Sequence, residues 1–331
     1  MEILDVVGID VSKLTIDAVI HKSKSYRKLE NSNKEFGVLC KWALSMSKVG
    51  KDKLLFVFEH TGLYSHQLAT YMASNKFNFI MVPGLEIKRS LGIARGKDDK
   101  IDAAKIARYA YRLRDEIELT VLPTQQIQDL KNLLTLRDRM VKQRAGYTTT
   151  LKEMKRVLKA KNNVILFSSQ SKIISNLNKQ ITAIEKEIDR IIRGNDKLKL
   201  QFNLLISIKG IGPQTALYMI VLTHGFTKFK NSRSFASYCG VAPFPNSSGT
   251  SIRGKTKVNS LANKKMKSLL DLAAKSAIQY NQEMKVYYTK RIEEGKSKMC
   301  AINIIRNKLL SRMFAVINRG TPYVNTMNYA S

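Results

Sequence analysis

The first third of the chain alternates short apolar runs with amphipathic stretches, a pattern that predicts an α/β domain. The predicted strands cover residues 3–10, 14–20, 25–29, 53–59 and 77–82, and the first three form a β-meander because only turn-length spacers separate them. The predicted helices cover residues 33–47 and 64–74, and a third begins near Asp99. This β-β-β-α-β-α-β-α order is that of ribonuclease-H-like folds.

Heptad spacing dominates the middle of the chain and predicts a coiled coil. The apolar seam consists of Ile174, Leu177, Ile181, Ile184, Ile188 and Ile191. A second long, basic helix is predicted over residues 130–158, so the two helices form an antiparallel hairpin, a dimerising stalk or a plain spacer. We therefore predict three parts: an α/β domain at 1–118, a helical connector at 119–196 and a mainly α domain at 197–331.

Charge adds the first functional information. The chain has 331 residues, with 57 Lys and Arg against 26 Asp and Glu, a formal net charge of +31. Between Asp196 and Asp271 there is no acidic residue. An excess of this size exceeds what solubility needs and predicts a polyanionic partner, with nucleic acid first. The acid-free stretch is expected to contact the phosphate backbone.

Several classes of protein are excluded by simple features. The longest apolar runs are far shorter than the roughly 18 residues that a spanning helix needs, so no membrane segment is expected. Acidic residues near the N-terminus argue against a secretory signal, and we expect a cytoplasmic protein. The three cysteines, Cys40, Cys239 and Cys300, lack metal-ligand spacing and are expected to be reduced.

Four acidic residues in the first domain are candidates for metal-dependent chemistry. Asp10 and Glu59 end two predicted strands, and Asp99 and Asp102 are spaced i, i+3 on one helical face. Strand ends and a helix face can converge, and carboxylate oxygens are the ligands that a two-metal site for phosphoryl transfer needs. The predicted metal is Mg²⁺, with Mn²⁺ as a substitute.

Each carboxylate also has a purely structural interpretation. Asp10 is compatible with a turn, Glu59 with a helix cap, and the pair on the third helix with first-turn residues favoured by the helix dipole. Asp98 is an alternative to Asp99, because it lies i, i+4 from Asp102. Tyr64 has no Arg/His constellation around it and is expected to pack.

Two further motifs lie in the basic C-terminal part. Residues 240–249 form a predicted Pro/Gly/Ser loop before a basic run, and a serine preceding glycine there is a candidate nucleophile, since the stretch has no carboxylates. The alternative is a loop that only connects two elements and has no catalytic role. Residues 208–216 predict a glycine-rich turn opening a helix, either to hold a DNA phosphate or to join two packed helices.

Motifs along nearly the whole chain resemble, in order, those of the IS-one-ten family of insertion-sequence transposases. They are Gly8 to Lys13, Glu59 to Tyr64, Lys97 to Ala103, and Gly240 through Ser248-Gly249. The resemblance implies a RuvC-like domain with an Asp-Glu-Asp-Asp tetrad, a coiled-coil connection and a C-terminal transposase domain with an essential serine. Carried over to this sequence, the tetrad is Asp10, Glu59, Asp99 and Asp102, and the serine is Ser248.

The same resemblance implies a mechanism and partners. The serine would attack a DNA phosphate to form a phosphoserine link, and strands would be exchanged between double-stranded donor and target DNA. A structured guide RNA would pair with both DNAs, and dimers would pair into tetramers. Two departures from the family pattern bear on the site: Asp98 stands where the family has Thr, with the spacing favouring Asp99, and Ser247 directly precedes Ser248.

The leading hypothesis is therefore an RNA-guided serine-type DNA transposase or recombinase. Two enzymatic alternatives share the tetrad: a RuvC-like nuclease or junction resolvase that activates water, and a related DNA invertase. A non-enzymatic alternative is an architectural protein that binds nucleic acid. The first experiment that separates them looks for a covalent protein–DNA adduct.

Overall fold

A computed structural model of the chain describes residues 2–90, 98–116, 118–248 and 252–324. It divides into two compact units, Met1–Leu122 and Pro123–Ser331. The proposed boundary between connector and C-terminal domain falls inside the second unit and stays a prediction. Among the described helices, none is long and apolar enough to cross a membrane.

The first unit is an α/β structure built on a five-stranded mixed sheet, as predicted. Its strands are β1 (Asp5–Val11), β2 (Thr15–Ile20), β3 (Tyr26–Glu30), β4 (Leu54–Glu59) and β5 (Asn78–Val82). The sheet order is β3-β2-β1-β4-β5, with β1, β4 and β5 parallel and the β1-β2-β3 meander antiparallel. Because β1, β4 and β5 run the same way, their carboxyl ends meet at one edge.

Four helices cover this sheet. They are α1 (Asn33–Ser47), α2 (Leu63–Ser74), α3 (Gly84–Ser90) and α4 (Asp99–Leu113). Helices α1 and α2 pack on the face formed by Val7, Ile9 and Phe58, whereas α3 and α4 pack on the opposite face, with Val6 and Val57. The observed order matches the predicted one except for α3, a short helix that the hydrophobic pattern did not indicate.

The second unit is mainly helical. Its first two helices, α5 (Gln125–Val157) and α6 (Val164–Arg193), form an antiparallel pair, since Arg137 bonds Glu185 and Arg144 bonds Asn178. The predicted long helices are confirmed, and a coiled coil stays a prediction. Further helices are α7 (Asp196–Ile206), α8 (Pro213–Leu222), α9 (Ser232–Tyr238), α10 (Lys264–Tyr280), α11 (Gln282–Glu293) and α12 (Lys298–Arg319).

The base of the α5–α6 hairpin shares one hydrophobic core with the C-terminal helices. Leu130 and Leu134 of α5 and Ile188 of α6 belong to this core. A polar contact reinforces it, because Asp138 accepts a hydrogen bond from the Tyr218 hydroxyl at 2.6 Å and pairs with the Lys265 ammonium at 2.6 Å. The distal half of the hairpin lies outside this core, and its helices are largely exposed.

A two-stranded antiparallel hairpin interrupts the helices of the second unit. Its strands are β6 (Pro243–Ser248) and β7 (Ile252–Val258). The sequence predicted a loop over residues 240–249, and this prediction is wrong for β6. Proline is tolerated on an edge strand, and the pairing register shifts between Phe244 and Asn246, around Pro245.

Candidate functional site

One row of polar side chains crosses the sheet at the carboxyl end of β1. Asp10 on β1 pairs with Asp17 on β2, and Asp17 in turn pairs with Lys28 on β3. The parallel pairing of β1 with β4 brings Glu59, the last residue of β4, beside Asp10. Paired residues of neighbouring strands point to the same face, so this row projects toward one layer of helices.

Helix α4 lies unusually close to that face because β1 carries Gly8. A Cβ atom built at Gly8 would lie 2.2 Å from the backbone nitrogen of Ala107 and 2.3 Å from the carbonyl oxygen of Ala103. Any side chain there would collide with helix backbone, which cannot rotate away as a side chain can. Asp10 lies two residues further along the same face of β1 and therefore also faces α4.

The first turn of α4 completes a group of carboxylates. Burial, and then the negative charges of Asp99, Asp102, Asp17 and Glu59, raise the pKa of Asp10 from 3.8 to about 6. The geometry agrees, because the Lys28 ammonium lies 3.8 Å from the Asp17 carboxylate and 3.9 Å from that of Asp99, so the start of α4 lies next to the polar row. The structure thus brings all four predicted tetrad residues to one edge of the sheet, and it adds Asp17.

The two neighbouring aspartates at the start of α4 have different surroundings. Asp98 is the N-cap, and its carboxylate accepts a hydrogen bond from the backbone N–H of Lys100 at 3.3 Å. The Asp99 carboxylate instead lies 3.9 Å from the Lys28 ammonium, which belongs to the polar row. Asp102 pairs with Lys105 at 2.7 Å. This geometry favours Asp99 over Asp98 as a member of the site.

Sequence reasoning missed Asp17 and its partners. Asp17 is 2% exposed, accepts a hydrogen bond from the Tyr26 hydroxyl at 2.6 Å and lies 3.8 Å from the Lys28 ammonium. The hydrogen bond to Asp17 is the main reason that the pKa of Tyr26 rises to about 12. A signal was present, because Asp17 is an acidic residue inside an otherwise apolar strand.

The donor set fits a hard divalent cation, although the carboxylates are not drawn together into a compact metal cluster. Within the described residues, no three His, Cys, Asp or Glu side chains are grouped closely enough to hold an ion. Oxygen ligands are nevertheless what Mg²⁺ and Mn²⁺ prefer. The repulsion that raises the pKa of Asp10 is of the kind that a bound cation offsets.

Gly84, the first residue of α3, lies against the Glu59 carboxylate and gives a sharp prediction. A Cβ atom at Gly84 would lie 1.9 Å from Oε1 of Glu59. We expect Gly84→Ala to displace this flexible carboxylate, lowering the recombination rate about 10- to 100-fold. The thermal midpoint should stay close to that of the wild type, because a side chain and not backbone must move.

A matched control for this variant is Gly37→Ala on α1. There the added methyl would meet only the Tyr71 hydroxyl, at 3.3 Å. Recombination rates and thermal midpoints of both variants are compared with those of the wild type. Full activity of Gly84→Ala would mean that the position of the Glu59 carboxylate in this structure is not needed for the reaction.

The predicted serine lies in the second unit. Ser248 is the last residue of β6, and its backbone pairs with Ile252 at the start of β7. The Ser248 side chain, and residues 249–251 after it, lie outside what the structure describes. The serine is thus at a strand end, and the paired strand β7 carries Arg253, Lys255 and Lys257.

The glycine-rich turn that the sequence predicted is present between α7 and α8. Gly210 has a φ of +101° and packs closely on Ala277 of α10, and Gly212 is the N-cap of α8. Gly210 has a packing explanation, because a Cβ there would lie 2.6 Å from that of Ala277. At Gly212 a Cβ would meet no atom within 4 Å, and the residue precedes Pro213, which begins the helix. Phosphate binding at this turn stays a prediction.

Two transposase family profiles match the chain in succession. The profile DEDD_Tnp_IS110, a transposase domain, matches residues 7–162, which include all four carboxylates of the tetrad. The profile of the transposase IS116/IS110/IS902 family matches residues 202–289, which include Ser248. The first match implies a ribonuclease-H-like fold for the first unit and suggests dependence on a divalent metal.

Individual relatives agree with these profiles. The chain is 27% identical over 332 residues to pilin gene-inverting proteins of Moraxella lacunata and Moraxella bovis, covering 96% of this chain and 97% of each relative. It is 27% identical over 163 residues to an insertion element IS110 protein of Streptomyces coelicolor, covering 49% of this chain and 39% of the relative.

The expected resemblance is confirmed by these matches. The two profiles cover most of the chain in the order expected for one family, and the relatives carry IS110 and gene-inversion names. The chain therefore belongs to the IS110 family and is a DNA transposase or recombinase.

Proposed function

We propose that this enzyme recombines DNA through a covalent phosphoserine intermediate formed by Ser248, with Asp10, Glu59, Asp99 and Asp102 holding a divalent metal. The observation that carries the proposal is the group of carboxylates at the sheet edge, where burial and then four acidic neighbours raise the pKa of Asp10 to about 6. Lys28 and Lys105 pair with three of these neighbours, yet the pKa of Asp10 is still raised, and groups perturbed in this way are typical of functional sites.

The chemistry balances without a further reactant. The Ser248 hydroxyl oxygen bonds to phosphorus, one phosphorus–deoxyribose oxygen bond breaks, and the proton lost by serine is matched by one gained at the released hydroxyl. Attack of another strand's hydroxyl on the phosphoserine reverses these changes and rejoins DNA. Mg²⁺ or Mn²⁺ held by the carboxylates would neutralise negative charge on the phosphate.

The distribution of charge supports nucleic acid as the partner of the second unit. Residues 123–331 hold 37 Lys and Arg against 11 Asp and Glu, whereas residues 1–122 hold 20 against 15. Contacts to phosphates depend on such an excess. We propose that this unit binds double-stranded donor and target DNA together with a structured guide RNA.

We also propose that the distal α5–α6 hairpin joins two copies of the chain. Apolar residues are exposed at its tip, where Val157 is 83% exposed, Val164 63% and Ile165 80%. Isolated exposed apolar residues are ordinary, but a group at the end of two long helices with heptad spacing is typical of a helical dimer contact. The proposed assembly is a dimer, with two dimers forming a tetramer on DNA.

A denaturing gel for covalent protein–DNA adducts tests the proposal. The full-length protein is expressed with the DNA that flanks its gene, and the adduct is digested and analysed by peptide mass spectrometry. We expect a nucleotide attached to the peptide that contains Ser248. Metal-dependent cutting without any adduct would overturn the recombinase mechanism in favour of a nuclease that activates water.

Inversion is the second candidate outcome of the same chemistry. The observation in its favour is that the Moraxella relatives, which align over 96% of this chain, are named pilin gene-inverting proteins. Transposition and inversion would use the same carboxylates and the same serine. Sequencing the recombined DNA separates them, because inversion retains the segment in reversed orientation and transposition moves it to a new site.

A further inference from the structure

Two of the most exposed large apolar side chains described in the first unit lie beside its carboxylates. Leu63 is 79% exposed and Leu14 is 73% exposed. Leu14 lies in the turn after β1, the strand that carries Asp10, and Leu63 begins α2, four residues after Glu59. Both leucines therefore lie at the sheet edge where the carboxylates gather.

Three more exposed apolar residues flank the same group. Tyr64, which the sequence predicted to pack, is 45% exposed, Leu85 is 46% exposed and Ile101 is 41% exposed. Leu85 follows the glycine that contacts Glu59, and Ile101 lies between two tetrad residues on α4. We call Leu14, Leu63, Tyr64, Leu85 and Ile101 the apolar rim.

The backbone that presents the rim is held in place by hydrogen bonds. The Asn31 side-chain amide donates to the carbonyl oxygen of Ser12 at 2.9 Å and to that of Tyr64 at 3.2 Å. The Asn31 backbone N–H donates to the carbonyl oxygen of Leu14 at 2.9 Å. One residue thus ties the β1–β2 turn to the start of α2, which fixes the positions of the leucines that follow the carboxylates.

The turn before Leu63 is also ordered and has a special conformation. Gly62 has a φ of +71°, which favours glycine, and its N–H donates to Nδ1 of His60 at 3.3 Å. The Thr61 N–H donates to the Ser65 hydroxyl at 3.1 Å. A turn built this specifically holds Leu63 outward, although folding alone would favour burying it.

We propose that the apolar rim holds unpaired bases of the DNA strand next to the phosphodiester that the carboxylates act on. The proposal rests on the proposed function, because it requires that phosphodiester to lie at the sheet edge. Beside a phosphate, the apolar surfaces that DNA offers are its base faces, which become available when a base pair opens. Leucine wedges and tyrosine platforms are common means of holding opened bases.

The charges around the rim match a DNA strand better than an apolar protein surface. Lys13 precedes Leu14 in the chain, and Lys100 precedes Ile101. Both lysines are exposed and can contact phosphates while the apolar neighbours contact bases. An apolar protein partner that covered the leucines would also cover these two ammonium groups. Removing them from water would weaken its binding.

Base opening can be measured without cleavage. The full-length Asp10→Asn protein is mixed with a duplex carrying 2-aminopurine next to the cleaved phosphate, whose position is first mapped by sequencing the recombination junctions or cut ends that the wild type makes. We expect fluorescence to rise on binding as the base unstacks. The rise should be lost when Leu14→Ser and Leu63→Ser are added, and kept with Met46→Ser, whose residue is 44% exposed at the far end of α1.

Reaction rates on two substrates give the second readout. With Asp10 intact, Leu14→Ser/Leu63→Ser should slow adduct formation about ten-fold or more on fully paired DNA, as expected when a stacking contact is lost. A mismatch beside the cleaved phosphate should restore the rate to near that of the wild type. Met46→Ser should react at the wild-type rate on both substrates.

Failure of this inference and failure of the proposed function are distinguishable. Equal fluorescence for the leucine variant and its parent overturns the inference, as does a slowed reaction that the mismatch does not rescue, the result expected of a protein-docking surface. If the wild type forms no adduct at all, the proposed function fails, and the fluorescence still tests base opening at the rim.

Discussion

Ser248→Ala should abolish the covalent protein–DNA adduct and lower recombination by at least about 10³-fold, the scale on which removal of a nucleophile acts. The alanine lacks the oxygen that would bond to phosphorus, and the second unit has no carboxylate between Asp196 and Asp271 to replace it. Affinity for DNA should change little, because one hydroxyl contributes little to a surface dominated by Lys and Arg. Adduct gels and recombination counts measure the first effect, and gel shifts the second.

Ser247→Ala is the matched control for this prediction. Ser247 pairs with Arg253 in the same hairpin and is chemically identical to its neighbour. We expect the Ser247→Ala variant to form the adduct at close to the wild-type rate. If Ser248→Ala still forms the adduct and Ser247→Ala does not, Ser247 is the nucleophile. If the double variant still forms the adduct, neither serine is the nucleophile.

Asp10→Asn should have two opposite effects, a loss of recombination by about 10³-fold or more and a gain in stability of the metal-free protein. The first follows from the proposed role of Asp10 as a metal ligand, because its charge is lost. The second follows because burial and neighbouring carboxylates raise the pKa of Asp10 from 3.8 to about 6. The full shift corresponds to about 3 kcal/mol, and partial exposure reduces the expected gain to about 1–2 kcal/mol.

The sign of this stability gain can be tested by changing pH. Between pH 3.8 and about 6, the folded state binds the Asp10 proton more tightly than the unfolded state does, so this residue's contribution to stability is lost as pH rises. Asparagine is neutral at every pH. The gain from Asp10→Asn should therefore be largest at pH 8, about half as large at pH 5 and small below about pH 4.

Thermal melts of both proteins with a chelator present measure this difference. A few degrees of increase in the midpoint is expected at pH 8. Asp52→Asn is a suitable control, because Asp52 lies in an exposed turn of the same unit. A thermal midpoint of Asp10→Asn below that of the wild type at pH 8 would contradict the repulsion between Asp10 and its neighbouring carboxylates.

The local pattern of apolar and polar residues was sufficient to predict most helices and strands of the first unit. Helix α1 (Asn33–Ser47) begins and ends at the predicted residues, because its apolar positions recur at helical spacing between two polar turns. The edge where Asp10 and Glu59 meet could also be predicted, because each ends an apolar strand and parallel strands share a carboxyl end. The third predicted helix is α4 in the structure, and it begins at Asp99 as predicted.

What depends on tertiary packing could not be predicted in this way. Lys28 contacts Asp99 through strand register and the approach of α4, and neither leaves a periodic signal in the sequence. The hairpin that ends at Ser248 was missed for a different reason. Pro243 and Pro245 are typical of loops, and only pairing with β7 makes this segment an edge strand.

Gly8 has a genetic consequence. The helix that carries Asp99 touches the sheet through backbone atoms at this position, so no change of side chain at Ala103 or Ala107 can make room for a methyl group on β1. Second-site suppressors of Gly8→Ala should therefore be absent from these two codons, and functional revertants should restore glycine itself. In this family member, glycine at position 8 therefore sets how close the helix that carries Asp99 lies to the strand that carries Asp10.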